Sequence, residues 1–146
     1  MAIKIFVRAL ACAALTFLIA NAPPARAADD SLFQGLGGRE GITRISNLAI
    51  DLSLEDPRTA STFADINVSR VKRLLVDQLC ALSGGPCKYE GRSMKESHAT
   101  TGLTNLHFNL LVEDLQIAMD REGVPFHTQN RLLAILASMQ RDVVTK

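Results

Sequence analysis

Three histidines are the residues in this 146-residue sequence that are best suited to hold a metal or a cofactor. The sequence contains no nucleophile motif, glycine-rich phosphate loop or paired-cysteine metal site. His107 and His127 each stand beside a phenylalanine near the start of a predicted helix, and we interpret both as ordinary helix residues. His98 is the stronger candidate ligand, although one imidazole does not define a site.

The sequence around His98 predicts a short, capped helix that would fix the position of this side chain. Ser93 and Glu96 have the spacing of a capping box, in which each side chain satisfies the other residue's backbone N–H. A short helix is therefore predicted to begin at Met94 and to end before Gly102. Met94 lies four residues before His98, on the same helix face.

Two longer helices are predicted before this segment. The first has apolar residues at intervals of three or four and stops at Asp56-Pro57. The second follows Asn67, a good N-cap residue, and runs to Leu82 before Gly84-Gly85-Pro86. The apolar stripe of the first helix consists of Ile42, Ile45, Leu48, Ala49 and Leu52, and that of the second of Val71, Leu74, Leu75, Leu79 and Leu82.

Two more helices are predicted after the segment that carries His98. Thr104 caps one helix, which Gly123 closes, and a final helix follows Pro125. Their apolar stripes consist of Phe108, Leu111, Leu115, Ala118 and Met119 in the first, and of Leu132, Leu136, Met139 and Val143 in the second. The fold class is therefore all-α, and periodicity alone also fits a four-helix bundle.

Residues 1–27 are typical of a signal peptide. Lys4 and Arg8 precede an apolar run from Ala9 to Ala22, and Ala25-Arg26-Ala27 supplies small residues for cleavage after Ala27. The alternative of a membrane anchor is disfavoured because about 14 apolar residues fall short of the ~20 needed to span a bilayer. Cys12 lies too early in the apolar run to indicate lipidation. We expect a periplasmic or secreted protein with one domain, residues 28–146.

The charge of the predicted mature chain argues against nucleic acid as a partner. The leader holds three of the 16 basic residues and none of the 15 acidic ones, which leaves a net charge of about −2. No further apolar run is long enough to span a membrane, so we expect a soluble protein. Cys80 and Cys87 remain in an oxidising compartment, either as a disulfide across the glycine turn or as two free thiols.

Several motifs, in order and at matching separations, resemble those of the group 1 truncated haemoglobins. Gly37-Gly38 is similar to the glycine pair between the family's first two helices. Asp56-Pro57-Arg58 with Phe63 is similar to the family's corner at which a phenylalanine packs against haem. The family's second glycine motif is similar to Gly84-Gly85-Pro86 with Tyr89 and Gly91. Met94 to His98, followed by Gly102-Leu103-Thr104 and Phe108, resembles the segment with the proximal histidine.

The resemblance implies a two-over-two helical sandwich around haem b, with a shortened first helix and His98 as the fifth iron ligand. The apolar stripes are suited to cover the faces of a porphyrin. The residues that we expect to contact the haem are His98, Phe63, Val71, Leu75, Leu79, Met94 and Phe108. Basic residues that are candidates for the haem propionates by position are Lys72, Arg73, Arg92 and Lys95.

The predicted distal pocket departs from the family's pattern. Group 1 members typically place a tyrosine on the second helix, where it donates a hydrogen bond to dioxygen, with a glutamine on the opposite helix. Counting back without gaps from Phe63, the tyrosine position is Ile50, and Val71 and Leu75 occupy the usual distal sites. Gln78 is the nearest amide on that helix. The single tyrosine, Tyr89, lies too far along the chain to substitute.

The resemblance implies a haem protein that reversibly binds dioxygen or another diatomic gas, such as carbon monoxide or nitric oxide, with oxygen binding or transport as its function. The alternative is an enzyme that removes nitric oxide or peroxide, which would need a partner reductase because the sequence has no flavin or nicotinamide motif. A third interpretation, without haem, is a helical interaction module in which His98 is simply buried.

Overall fold

The structure is a computed structural model that describes residues 29–146. The predicted signal peptide, residues 1–27, lies outside the described residues, so the leader and the domain boundary after it stay predictions. The described residues contain helices, turns and loops but no strand. None of the described helices combines the length and the apolarity needed to cross a bilayer.

Seven α-helices and one 3-10 helix form the described part of the chain. In order they are α1 (Ser31–Gly35), α2 (Gly38–Glu55), the 3-10 helix (Ala60–Phe63), α3 (Val68–Leu82), α4 (Met94–His98), α5 (Asn105–Arg121), α6 (Phe126–Ala137) and α7 (Gln140–Val143). The predicted starts and stops of α2, α3 and α4 are confirmed to within a few residues. The first helix is short, with five residues.

The glycine pair between α1 and α2 makes a turn that other residues would strain. Gly37 and Gly38 both have positive φ, 82° and 64°, in the left-handed region where a side chain is disfavoured. Gly41, one turn into α2, has the carbonyl oxygen of Leu36 so close that a Cβ atom would collide with it. The turn therefore brings α1 tightly against α2.

The hydrophobic core lies between α2 and the helices around it. α2 packs most extensively on α5 and next on α3, and α1 packs on α2 and α6. The helix pairs α2–α3 and α5–α6 therefore form the two layers of a two-over-two sandwich, as predicted. The buried core residues include Ile42, Ile45 and Ala49 of α2, Val76, Leu79 and Cys80 of α3, Leu115, Ala118 and Met119 of α5, and Leu132 of α6.

The prediction of a single last helix is wrong. α6 ends at Ala137 and a separate helix, α7, begins at Gln140. At the break the Ser138 hydroxyl donates to the Ile135 carbonyl at 2.6 Å, and the Met139 N–H bonds the carbonyl three residues back, at Leu136, at 2.9 Å. Such tightening ends the regular α-helical ladder. The break allows α7 to pack on α4, the helix that holds His98.

Candidate functional site

The predicted capping box fixes the start of α4. The Ser93 hydroxyl accepts from the Glu96 N–H at 3.2 Å, and the Glu96 carboxylate accepts from the Ser93 N–H at 3.0 Å. Hydrogen bonds from the Ser93 side chain and backbone lower the pKa of Glu96 below its ordinary value. The box satisfies backbone donors that a helix of five residues otherwise leaves free.

His98 is held in an orientation that suits a metal ligand. Its Nδ1 atom lies 2.8 Å from the carbonyl oxygen of Met94, one turn earlier. A carbonyl can only accept, so Nδ1 carries the proton and donates. In the neutral imidazole the other ring nitrogen, Nε2, then carries the lone pair, and the hydrogen bond to Met94 holds the ring in one orientation. Ligating histidines are oriented by such bonds in metal sites.

Several elements carry apolar side chains that are only partly covered. They differ from the core residues in being neither buried nor fully exposed. Their positions lie on the 3-10 helix, α3, α4, the loop before α5, α5 and the region of α7. The members that we use below as the apolar band are Phe63, Val71, Leu74, Leu75, Met94, Leu103, Phe108, Met139 and Val143.

Contacts between helices bring this band together. α7 packs on both α4 and α5, and the Gln78 amide of α3 reaches the Met139 sulfur just before α7, with Nε2 to Sδ at 3.9 Å. The chain end closes the same side, because the Thr145 N–H donates to the Leu103 carbonyl at 2.8 Å. Helices α4, α5 and α7 thus meet on the side of the molecule that carries His98, and α3 reaches that side through Gln78.

The predicted distal residues occupy two different environments. Val71 and Leu75 are half-buried in the apolar band, and Leu75 also packs against the core. Ile50 is 2 % exposed but lies outside the main core cluster. Leu79 is completely buried within that cluster, where it packs α3 onto the core.

The other candidate side chains are engaged elsewhere. The backbone N–H of Thr104 donates to Nδ1 of His107 at 3.2 Å in a second capping box, which is a structural use of this imidazole. His127 is exposed on α6. The Tyr89 hydroxyl donates to the Arg92 carbonyl at 2.8 Å, so it braces the loop before α4, as its position in the chain led us to expect.

The basic candidates for the haem propionates separate into two groups. Lys72 and Arg73 line a groove of about 370 Å³ between α2 and α3, and Lys72 pairs there with Asp51 at 2.5 Å. Arg92 and Lys95 are exposed beside the first turn of α4, on the chain segment that holds His98. Arg92 and Lys95 are therefore better placed to meet charged groups at the edge of the apolar region.

The residues present fit a haem group. An apolar band of this kind is costly to leave in water, by about 25 cal/mol per Å² of apolar surface. A flat apolar molecule with one open metal coordination position would cover the band and use the Nε2 lone pair of His98. The polar edge of such a molecule would find Arg92 and Lys95.

Comparison with known proteins identifies the family. A family model described as bacterial-like globin matches residues 31–145. The chain belongs to this globin family. The curated relatives that it matches include group 1 truncated haemoglobins. The one from Mycolicibacterium paratuberculosis is 30% identical over 115 residues, which cover 79% of this chain and 85% of the relative. The one from Tetrahymena pyriformis is 27% identical over 80% of this chain and 96% of its own.

Solved structures agree with this globin's fold. The truncated hemoglobin of Tetrahymena pyriformis in its Fe(III) form superposes with a TM-score of 0.75 at 27% identity, over 79% of this chain and 98% of the other. The 2/2 hemoglobin of a Synechococcus species, in the cyanomet state and with covalently attached heme, gives a TM-score of 0.71 at 25% identity over the same shares. The protein is thus a haem-binding truncated globin, of a family that binds diatomic gases.

Two features of the site were missed by sequence reasoning. Arg39 of α2 donates to the Cys87 sulfur at 2.9 Å and to Asp77 at 2.8 Å, and these partners lie 48 and 38 residues away in sequence. The contact of the chain end with Leu103 was also not predicted. Neither has a local signal, because both depend on how distant segments meet. The disulfide, which the sequence left open, is present between Cys80 and Cys87.

Proposed function

We propose that this globin binds haem b through Nε2 of His98 and that the loaded protein takes a diatomic gas, with dioxygen foremost. The observation that carries the proposal is the bond of 2.8 Å between His98 Nδ1 and the Met94 carbonyl, within the apolar band. In the neutral imidazole this bond leaves Nε2 as the nitrogen that can bind a metal. We also propose that the leader directs export, so that the protein works in the bacterial periplasm or outside the cell.

Each part of the chain has a separate task in this proposal. The capping box and the Met94 carbonyl orient His98, because the carbonyl accepts the hydrogen bond that Nδ1 donates. Val71, Leu75 and Phe63 exclude water from the apolar region. Ferrous haem, when bound, supplies an iron atom that takes a diatomic gas and passes partial negative charge to dioxygen.

The distal side lacks a tyrosine hydroxyl to meet that charge. Ile50, Val71 and Leu75 have no hydrogen-bond donor, and Gln78 carries the nearest one on α3. Loss of a charge-assisted hydrogen bond costs about 1.5 to 3 kcal/mol, equivalent to roughly a 10- to 100-fold change in affinity. We therefore propose weak retention of dioxygen compared with a pocket that has such a donor. Carbon monoxide takes little charge and is affected less.

Ligand binding is preferred to catalytic removal of nitric oxide or peroxide. Turnover of either substrate needs a supply of electrons, and the sequence has no flavin or nicotinamide motif. An enzyme of this kind would therefore require a partner reductase. No particular surface of the described residues indicates where such a partner would bind.

Absorption spectra of the purified protein test the proposal. We expect a haem Soret band, a five-coordinate ferrous form, and a shift when carbon monoxide is added. Recovery of this form from the periplasmic fraction, with an N-terminus at Ala28, would support export and cleavage after Ala27. A protein that purifies without haem, and takes up none when haem is added, would contradict the proposal.

A further inference from the structure

The loop between α3 and α4 has few attachments to the rest of the molecule. The Gly85 N–H donates to the Cys80 carbonyl at 2.9 Å, which closes the end of α3. From residue 86 to residue 92, no backbone-to-backbone hydrogen bond is present in the described part of the chain. Something other than backbone pairing must therefore hold the loop that leads to His98.

Cys87 provides that attachment. Its disulfide with Cys80 joins the loop to α3, with the two Cα atoms 5.7 Å apart. Cys80 is completely buried in the hydrophobic core, so the anchor is rigid. Arg39 adds a link to α2, because its guanidinium donates to the Cys87 sulfur at 2.9 Å and to Asp77 of α3 at 2.8 Å.

The chain between Cys87 and α4 is short and internally braced. Only five residues separate Cys87 from the N-cap residue Ser93. The Tyr89 hydroxyl donates to the Arg92 carbonyl at 2.8 Å, and the Tyr89 ring lies so close to Gly91 that a Cβ atom there would collide with it. A displacement of Cys87 is therefore passed to Ser93 and to the first turn of α4.

Stabilisation of the whole fold is a smaller contribution for this disulfide than for one that closes a longer loop. The entropic gain from a cross-link increases with the length of the loop that it closes, and Cys80 and Cys87 are seven residues apart. What the bond does in this structure is fix one end of a loop whose other end carries the axial ligand.

We propose that the Cys80–Cys87 disulfide is a positioning device for His98, which sets the imidazole against the iron. The inference rests on the proposed role of His98 as the haem ligand. It predicts that loss of the disulfide, with His98 unchanged, alters the iron–histidine bond and the retention of haem. Groups that orient a metal ligand typically contribute about 10- to 100-fold to metal affinity.

The test compares the holoprotein with the double variant Cys80→Ala/Cys87→Ala. We expect the iron–histidine stretching band of the ferrous form, measured by resonance Raman scattering, to shift or broaden. We also expect haem transfer to a scavenger globin to become about tenfold faster. Tyr89→Phe, which keeps the disulfide but removes one brace of the loop, should change both measurements in the same direction by less.

The matched control is Val124→Ala, which removes methyl groups from a buried position in the turn between α5 and α6. It should lower the thermal unfolding temperature and leave the iron–histidine band unchanged. If the double variant does not fold, the same measurements are made on the wild-type holoprotein after reduction of the disulfide with a phosphine.

Three outcomes are distinguishable. A shifted band and faster haem loss, with the control band unchanged, support the positioning role. A wild-type band and wild-type haem loss in the double variant or the reduced protein overturn it, even if the unfolding temperature falls. Failure of the proposed function would appear in different samples. The iron–histidine band would then be absent from the wild-type protein or would persist in His98→Ala.

Discussion

The amide nitrogen of Gln78 lies 3.9 Å from the sulfur of Met139, so the one amide on the predicted distal face of α3 is directed toward the break between α6 and α7. A thioether is a weak acceptor, and the amide can leave it for a better partner. We expect Gln78, the nearest amide on α3, to donate to bound dioxygen once it leaves Met139. The Met139 contact then competes with that bond.

Gln78→Leu should release dioxygen faster than the wild type, by about 2- to 10-fold for one neutral hydrogen bond. Met139→Leu is the matched variant, because it removes the competing acceptor and keeps an apolar side chain of similar size. It should slow dioxygen release. Stopped-flow dissociation rates measure both. Unchanged rates in both variants would mean that the amide does not reach the gas.

Ile50→Tyr should slow dioxygen dissociation by roughly 10- to 100-fold, because a phenol would donate to the partly anionic gas in a region of low dielectric. Carbon monoxide dissociation should change much less. Ile50→Phe is the control, since it adds a ring of similar size without the hydroxyl. Equal dioxygen rates for the Tyr and Phe variants would show that position 50 does not face the gas.

The order and the starts of the helices could be predicted from the sequence where local signals determine them. Asn67 caps α3 by accepting from the Arg70 N–H, and Ser93 and Thr104 cap α4 and α5, because capping depends on residues within one turn. The capping box placed His98 on α4 and the resemblance to the family made it the expected haem ligand, but its bond to the Met94 carbonyl is visible only in three dimensions.

Contacts between segments that are distant in the sequence could not be predicted in this way. The apolar stripe from Leu132 to Val143 predicted one helix, yet the break at Ser138 rotates α7 onto α4. Leu79 belongs to the same stripe as Leu75 but faces the core. A stripe gives the apolar side of a helix without saying which of two apolar neighbours, the core or a cofactor, each residue meets.

Asp114 should make stability depend on pH. It accepts a hydrogen bond from Ser53 at 2.5 Å, but burial, together with the nearby Asp56 and Glu113, raises the pKa of its carboxyl above the ordinary 3.8. The folded state therefore binds this proton more tightly than the unfolded state. Its contribution to stability is fully present below the ordinary pKa and is lost as the pH rises through the raised value.

Asp114→Asn should consequently raise the free energy of unfolding at neutral pH, because the amide still accepts from Ser53 and carries no charge. The gain should shrink as the pH falls toward 3.8. Urea unfolding at several pH values measures it, with Glu113→Gln at the exposed neighbouring position as the control. A variant that is less stable than the wild type at neutral pH would contradict this account of Asp114.

Charge reversal should separate the two groups of basic residues. Arg92→Glu and Lys95→Glu should accelerate haem transfer to a scavenger globin, because a carboxylate would repel a haem propionate. Lys72→Glu and Arg73→Glu change the charge equally but lie along the groove between α2 and α3, and should have little effect. Faster haem loss in the second pair than in the first would reverse our assignment.

The most direct test of the account is replacement of the axial ligand itself. His98→Gly should purify without stable haem, and added imidazole should restore a haem complex by occupying the position of the missing side chain. His107→Ala and His127→Ala should keep full haem content, because the first imidazole serves a helix cap and the second is exposed. Haem content and the ferrous absorption spectrum of the three variants decide the matter. A His98→Gly protein with full haem and an unchanged ferrous spectrum, without imidazole, would contradict the central claim.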